Sequence, residues 1–254
     1  MTAFLSIRDL SIRFGGLQAL DRFSMDVERG AIHALIGPNG AGKSTVFNCI
    51  SGFCSRFDGE ILFDGAPLEA RPHRLVHAGL ARTFQHVDLL RQLTVLENVL
   101  VGMTSRVRRY CAFTPGFGRA AAERDAIAQA DEVLERTGLA RYRNLLAGEL
   151  DFGHQKLVDL ARAVAARPRL LLLDEPAAGL RNREISEVVE LLGDLARGQG
   201  MTIVLVEHVM QLVMSVADRI TVLSFGQKIA EGEPHEVRSN PSVIEAYLGR
   251  EHHA

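Results

Sequence analysis

The sequence predicts an α/β fold built on a mostly parallel sheet, and three observations carry that prediction. The runs AIHALI (31–36), LLLLDEP (170–176) and MTIVLVEH (201–208) are almost continuously apolar, as strands buried on both faces are. Helical periodicity separates the later ones, and alternation of helix with buried strand points to a parallel sheet covered on both sides. The first run leads directly into a glycine-rich turn and then a helix.

Taken in order, the first thirty residues read as short alternating strands: FLSI, then LSIRF, a turn at Gly15-Gly16, and a third run ending at ERG. AIHALI is the buried strand before GPNGAG, and KSTVFNCISG is a helix closed by Gly52. FDGEILFDG (57–65) sets two Asp-Gly turn signals around an apolar centre, which predicts a hairpin or paired edge strands. From about 86 to 158 the character becomes helical. TVLENVL opens with Thr94 and Glu97 in capping-box spacing. SRVRRYCAFTPGFGRA (105–120) holds Pro115 and two glycines and reads as a loop or broken helix. AAERDAIAQADEVLERTG places Ile127, Ala130 and Leu134 on one helical face, ending near Gly138.

Beyond 158 the segments KLVDLARAVAA, REISEVVELLGDLARGQG and VMQLVMSVA are helices that alternate with strands. RITVLSFGQKIAEG is a final strand pair, and PSVIEAYLGREHHA a short helix and tail.

Bulk properties narrow the function. The 254 residues, 47% hydrophobic, suit one large domain or a core with a subdomain. A net charge of -2 and a pI near 6.5 create no global field toward nucleic acid or anionic lipid. The local basic cluster RVRR at 106–109 reads as a solvated helix face. Cys49, Cys54 and Cys111 form no CxxC pair, so a reduced compartment is the simplest expectation. No apolar run reaches the ~18 residues of a membrane span, so any membrane role must come through a partner.

Gly37-Pro38-Asn39-Gly40-Ala41-Gly42-Lys43-Ser44 fits G-x-x-x-x-G-K-[ST], and it lies between a buried strand and a helix, the context that motif needs. Glycines let successive N–H groups turn toward an anion. Lys43 would reach the outer phosphates and the Ser44 hydroxyl would bind Mg²⁺. Asp174 ends a buried strand, where α/β sheets place ligand groups, and is suited to hold Mg²⁺ directly or through water. Glu175 beside it could polarise an attacking water. Loop and carboxylates together indicate a P-loop nucleotide hydrolase or kinase.

Four further segments follow in a fixed order: Gln85 in RTFQ, LDFGHQ (150–155) before a helix, AAGL after Glu175, and His208 at the end of VLVEH. With these, nearly the whole chain resembles the ATP-binding subunit of ABC transporters. IRFGG, RTFQHVDLLRQLTVLENVLVG, DEPAAGL and the ending GQKIAEGEPHEVRSNPSVIEAYLG are similar to the branched-chain amino acid importer branch. The resemblance implies a P-loop ATPase core with an antiparallel β-subdomain and an inserted α-helical signature subdomain. It implies one nucleotide-binding domain over 1–254, with 1–85 and 159–235 forming the β-subdomain and core, 86–158 the helical subdomain and 236–254 a C-terminal helix and tail.

By the same resemblance Phe14 stacks on adenine, and Asn39 through Thr45 wrap the phosphates of ATP over the turn begun by Gly37 and Pro38. Gln85, with Ser44 and Asp174, completes the Mg²⁺ shell and senses a permease. Glu175 is the general base, His208 contacts the γ-phosphate, and Lys43 completes the catalytic set. The implied partners are a second ATPase subunit, two membrane permeases and, indirectly, a periplasmic solute-binding protein. The location is then the cytoplasmic face of the membrane. A urea or amide importer is the nearest rival solute class. A soluble ABC ATPase acting on nucleic acid would bring a second core, a coiled-coil insertion or a basic surface, and a P-loop kinase an arginine-rich lid.

LDFGHQ departs from the family's L-S-G-G-Q, which caps the nucleotide held by the opposite subunit. Gly153 is kept, but Asp151, Phe152 and His154 replace the second, third and fifth residues. Arg181 stands after AAGL, where the family has Asn or Asp. An ionised Asp151 aimed at a γ-phosphate 4 Å away would be repelled by about 4 kcal/mol at an effective dielectric near 20. As a helix cap it would be favourable by up to about 1 kcal/mol. Two outcomes stay open: an asymmetric heterodimer with one slow site, or neutralisation of Asp151 by Arg181 or another cation.

Overall fold

The computed structural model describes residues 3–69, 71–104 and 117–248. The chain opens with two long strands, β1 (Leu5–Phe14) and β2 (Leu17–Val27). The buried β3 (Ile32–Ile36), the turn at 37–42 and helix α1 (Lys43–Ile50) follow. β4 (Asp58–Phe63), β5 (Ala66–Pro67), α2 (Pro72–Ala78) and β6 (Leu80–Arg82) come next. Helices α3 (Val95–Gly102), α4 (Phe117–Arg136) and α5 (Phe152–Ala165) lead to β7 (Leu170–Asp174). Then α6 (Asn182–Gly193), β8 (Thr202–Val206), α7 (Met210–Val216), β9 (Arg219–Ser224) and β10 (Gln227–Gly232) complete the sheet. Two short helices, α8 (Pro234–Arg238) and α9 (Pro241–Leu248), end the described chain.

Six strands form the larger sheet in the order β10-β9-β3-β8-β7-β6, all parallel except β10 against β9. Every residue of β3, β7 and β8 is buried, so the apolar runs are strands covered on both faces. In the parallel register Asp174 lies opposite Val206 and Ile36 opposite Val222. Gly37, Asp174-Glu175 and Glu207-His208 therefore leave the sheet at the same edge, the carboxyl ends of the strands. One apolar core lies between this sheet and the helices, and a second between it, α1 and the smaller sheet.

The smaller sheet is antiparallel, in the order β2-β1-β4-β5. Here the structure corrects the expected strands. Apart from Phe4, FLSI and LSIRF belong to one strand, β1, bent at an irregularity where Asp9 takes φ +48°. A bulge of this kind bends a strand without ending its pairing. Of the two Asp-Gly signals, only Asp64-Gly65 turns the chain, with both φ angles positive as a tight hairpin requires. Gly59 instead lies within β4, where a Cβ would come 2.5 Å from the Arg8 carbonyl oxygen and 2.6 Å from that of Asp9. β4 is also an interior strand, between β1 and β5, rather than an edge.

Thr94 and Glu97 form the expected capping box: Glu97 N–H donates to Thr94 Oγ1 (3.2 Å) and Thr94 N–H to Glu97 Oε2 (2.7 Å). α3 packs closely on α5 because Gly102 lies against the Arg162 carbonyl, where a Cβ would come within 2.1 Å. Ala130 and Leu134 of α4 are fully buried and Ile127 half-buried. Residues 117–120 belong to α4, not to a loop, while RVRR, Cys111 and the rest of 105–116 lie outside the described residues. α5 is continuous across residue 158. Among the described residues no helix is long and apolar enough to cross a membrane.

Candidate functional site

The turn after β3 is built for close backbone approach. Gly37 has φ +148°, and a Cβ there would lie 2.0 Å from the Leu223 carbonyl oxygen. Gly42, the N-cap of α1, has φ +109° and would place a Cβ 2.7 Å from the Ala19 oxygen. With glycine as its N-cap, α1 has no capping side chain and no acidic residue in its first turn. A helix start whose cap residue offers no side chain is suited to an anion, which the helix dipole also favours. Lys43 lies back over the turn, its Nζ donating to Gly37 O (2.6 Å) and Pro38 O (3.0 Å).

A cleft of about 460 Å³ gathers Phe14, Asn39, Gly40, Ala41, Gly42, Lys43, Ser44, Thr45, Gln85 and Glu175. That volume falls within the range of small-molecule sites. Phe14 at the end of β1 is 51% exposed, and Phe225, lining the same cleft from the β9–β10 turn, is 82% exposed. An apolar lip beside open amides and a lysine matches a flat base joined to a phosphate chain.

At the wall of the cleft Glu175 takes φ +51°, a left-handed conformation that a residue with a Cβ holds only where its surroundings determine it. Its Oε2 accepts from Gln85 Nε2 (3.1 Å), and His208 Nδ1 lies 3.8 Å from the same oxygen. Asp174 does not line the cleft. It pairs with Arg82, Nη2 to Oδ2 at 2.9 Å, with both side chains 8% exposed. Arg82 Nη1 also donates to Asn48 Oδ1 (2.8 Å) and Ser51 Oγ (2.7 Å), near the end of α1, and its Nε is buried with no hydrogen-bond partner. Asp174 N–H donates to Thr83 Oγ1 at 3.3 Å. Glu207, fully buried, accepts from the backbone N–H groups of Ala177 (2.7 Å), His208 (2.7 Å) and Val209 (2.9 Å). One carboxylate thus holds both the loop after Glu175 and the turn that carries His208.

Away from the cleft, α5 begins on a charged cap. Asp151 Oδ1 accepts from His154 N–H (2.9 Å) and lies 2.7 Å from His154 Nδ1, while Arg181 Nη2 stands 3.9 Å from Oδ2. The His154 backbone N–H, then its ring, and last the Arg181 charge hold the Asp151 carboxyl below the usual carboxylate range. Gly153 faces Glu184, whose Oε1 a Cβ would meet at 2.8 Å. The Phe152 ring lies against Gly179 in the same way.

The sequence profile described as "ABC transporter" matches residues 20–178. The chain belongs to the ABC transporter family. A second profile, "Branched-chain amino acid ATP-binding cassette transporter", matches residues 227–253. The chain is 43% identical over 250 residues to the high-affinity branched-chain amino acid transport ATP-binding protein LivG of Salmonella typhimurium, covering 96% of this chain and 97% of that protein. Among solved structures it resembles the ADP conformation of MJ1267, an ATP-binding cassette of an ABC transporter. The TM-score is 0.83 and the identity 32%, over 98% of this chain and all of that one. It also resembles a dimeric post-hydrolysis state of the cassette MJ0796 bound to ADP and Pi, with TM-score 0.76 and 26% identity, over 91% of this chain and 98% of that one.

Within this ABC cassette the residues named from the sequence fall into two places. Phe14, Asn39 through Thr45, Gln85 and Glu175 share the cleft, with His208 beside Glu175 and Gly37 and Pro38 beneath Lys43. Asp151 and Gly153 lie at the other place, against Arg181 and Glu184. The sequence did not single out Arg82, Glu207, Lys156 or Phe225. Glu207 carried one signal, a charge directly after the apolar run IVLV (203–206). Arg82 ends a strand only three residues long, too short to show a period.

Proposed function

We infer that this chain is the ATP-binding and ATP-hydrolysing motor subunit of an ABC importer for branched-chain amino acids. The observation that carries the reading is the cleft itself, where the glycine-capped start of α1, Lys43 and Glu175 meet around one volume suited to a nucleotide. Phosphoryl transfer to water needs positioning and charge neutralisation more than covalent chemistry, and these groups supply both. In this reading Phe14 stacks on the base, the amides of 39–45 wrap the phosphates and Lys43 neutralises the outer ones. Glu175, held by Gln85 and close to His208, orients and deprotonates the water. Ser44 and Gln85 are exposed and offer the oxygen donors a hard divalent cation takes. Asp174, already paired with Arg82, would act on that cation through water. Mg²⁺ held there would neutralise charge developing on the phosphates.

The likeness to LivG supports the solute class and, with it, two permease subunits and a periplasmic binder as partners. The dimeric MJ0796 cassette supports a second ATPase subunit. We place the chain on the cytoplasmic face of the membrane, held there by the permeases. We read residues 1–254 as one nucleotide-binding domain, with the helical subdomain expected over 86–158 carried on to Ala165, where α5 ends. Two cassettes pack head to tail, so the start of α5 meets the partner's nucleotide. There Asp151 presents a carboxylate bonded by His154 and 3.9 Å from Arg181, both of which lower its repulsion of a phosphate.

The test is the reconstituted complex. Lys43→Ala should abolish MgATP binding at this site. Glu175→Gln should keep binding and lower turnover by about 10²–10³-fold, the scale on which a preorganised catalytic group acts. Wild-type turnover in Glu175→Gln, or no MgATP binding by the wild-type complex, would refute the reading. Import of labelled leucine into vesicles tests the solute.

A further inference from the structure

We propose that Lys156 is a positioning residue for Glu175, tying the start of α5 to the carboxylate that faces the nucleotide cleft. The inference rests on Glu175 being the general base. Lys156 stands one turn into α5 on its buried face, and only 9% of it is exposed. A lysine so far from water keeps its charge only if the fold supplies partners. Its Nζ donates to the backbone carbonyl of Glu175 at 2.6 Å. The negative charges of Glu207, Glu175, Asp159 and Asp174 favour its charged form against the burial. The Phe152 ring lies 5.6 Å from Nζ, and the same ring packs on Gly179 in the loop after Glu175.

The bonded carbonyl belongs to a residue that needs support. Glu175 is left-handed, at φ +51°. Its N–H donates to Val206 O (2.9 Å) and its carbonyl accepts from Ala178 N–H (3.2 Å), both within the strand ends and loop of the sheet edge. Lys156 is the contact that reaches this peptide from α5. With it, the Glu175 backbone is held from three sides, and its carboxylate stays within reach of Gln85 and His208. Without it, the peptide can relax and the carboxylate can leave the line of attack. Displacements on the scale of 1 Å lower rates by as much as ~10²-fold. Lys156 lines no part of the nucleotide cleft, so its effect should fall on turnover and not on affinity.

The geometry also gives the two sites a mechanical link. The turn that carries Asp151 and Gly153 would face the partner's nucleotide, and Lys156 continues that same helix to this chain's own Glu175. A shift of α5 when the partner's nucleotide is captured would move the peptide of Glu175.

The experiment compares Lys156→Met and Lys156→Arg in the full reconstituted complex. Turnover, the dissociation constant of a fluorescent ATP analogue, and the melting temperature are measured for each. Lys156→Met should lower kcat by ~10-fold or more, with the dissociation constant unchanged within about twofold, and Lys156→Arg should restore part of the rate. In a Glu175→Gln background, Lys156→Met should have no further effect, because residues acting through one another are not additive. The proposal is overturned if Lys156→Met leaves kcat unchanged, weakens nucleotide binding as much as it slows turnover, or slows the Glu175→Gln enzyme by the same factor. If Lys156→Met does not fold, Lys156→Gln carries the same comparison. Failure of Glu175→Gln itself to slow turnover would instead remove the base assignment, a result separate from any Lys156 outcome.

Discussion

Two helices of this chain begin on glycine-bearing turns at functional surfaces, and they differ in what occupies their first amides. α1 starts at Gly42, which has no side chain to cap it, and its first turn lines the cleft. α5 starts at Asp151, whose carboxylate already accepts the His154 N–H. The dipole at both of these N-termini favours negative charge. At α1 that charge must come from a ligand; at α5 the chain supplies its own. A helix start is thus an anion site only while its amides are free. Arg181, 3.9 Å from Asp151, completes the contrast by setting a cation beside a charge that, in the proposed head-to-tail pairing, would face the partner's nucleotide.

The largest effect should come from removing what holds α1 from its far end. Arg82 joins Asn48 and Ser51 of the α1 region to Asp174. Arg82→Met should cost about 3–5 kcal/mol in urea unfolding, because it strands a buried carboxylate. A cost under about 1 kcal/mol would mean that apolar packing alone secures the open helix.

A pH titration sharpens the same contrast. His33 on β3, the strand that launches the glycine-rich turn, is buried, and burial lowers its pKa to about 4. The unfolded chain binds this proton near the ordinary value of 6.5 while the folded chain does not. Stability should therefore be fully present above about 6.5 and decline as pH falls toward 4, by about 3 kcal/mol in all. Glutamine at 33 keeps a partner for Thr221 and should remove this slope, read from denaturant curves at several pH values. The Asp151 carboxyl, held low, keeps its contribution through that window and loses it only as pH falls through its depressed value.

The smaller effects belong to α5. Asp151→Ala should lower stability by about 1 kcal/mol through loss of the cap, and Asp151→Ser by no more than a few tenths, since serine also caps. In the complex, Asp151→Ser should change nucleotide affinity at the opposite site by less than about threefold if Arg181 balances the charge. A gain approaching three decades would match the ~4 kcal/mol of an unbalanced carboxylate and favour an asymmetric pair of sites.

Much of the fold was legible because its signals are local. Each buried strand announced itself as an apolar run, and Thr94 with Glu97 marked a helix start three residues apart. The errors lay where a distant partner decided the outcome. β1 stays one strand through its bulge because β2 and β4 pair with it on both sides. Asp58-Gly59 is drawn into β4 because the bulge carbonyls leave room only for a glycine. β6 exists because β7 gives its three residues a ladder.

The sequence by itself determined the phosphate-binding turn. Its glycines, its lysine and the helix that follows are chain neighbours, and left-handed backbone with open amides follows from residue type. Only the tertiary structure decided what the carboxylates do. Asp174 meets Arg82 across 92 residues because β6 lies beside β7, and Asp151 meets Arg181 because α5 packs on the loop after Glu175. Charges set the chemistry available to a chain, but which charges face one another depends on which elements become neighbours.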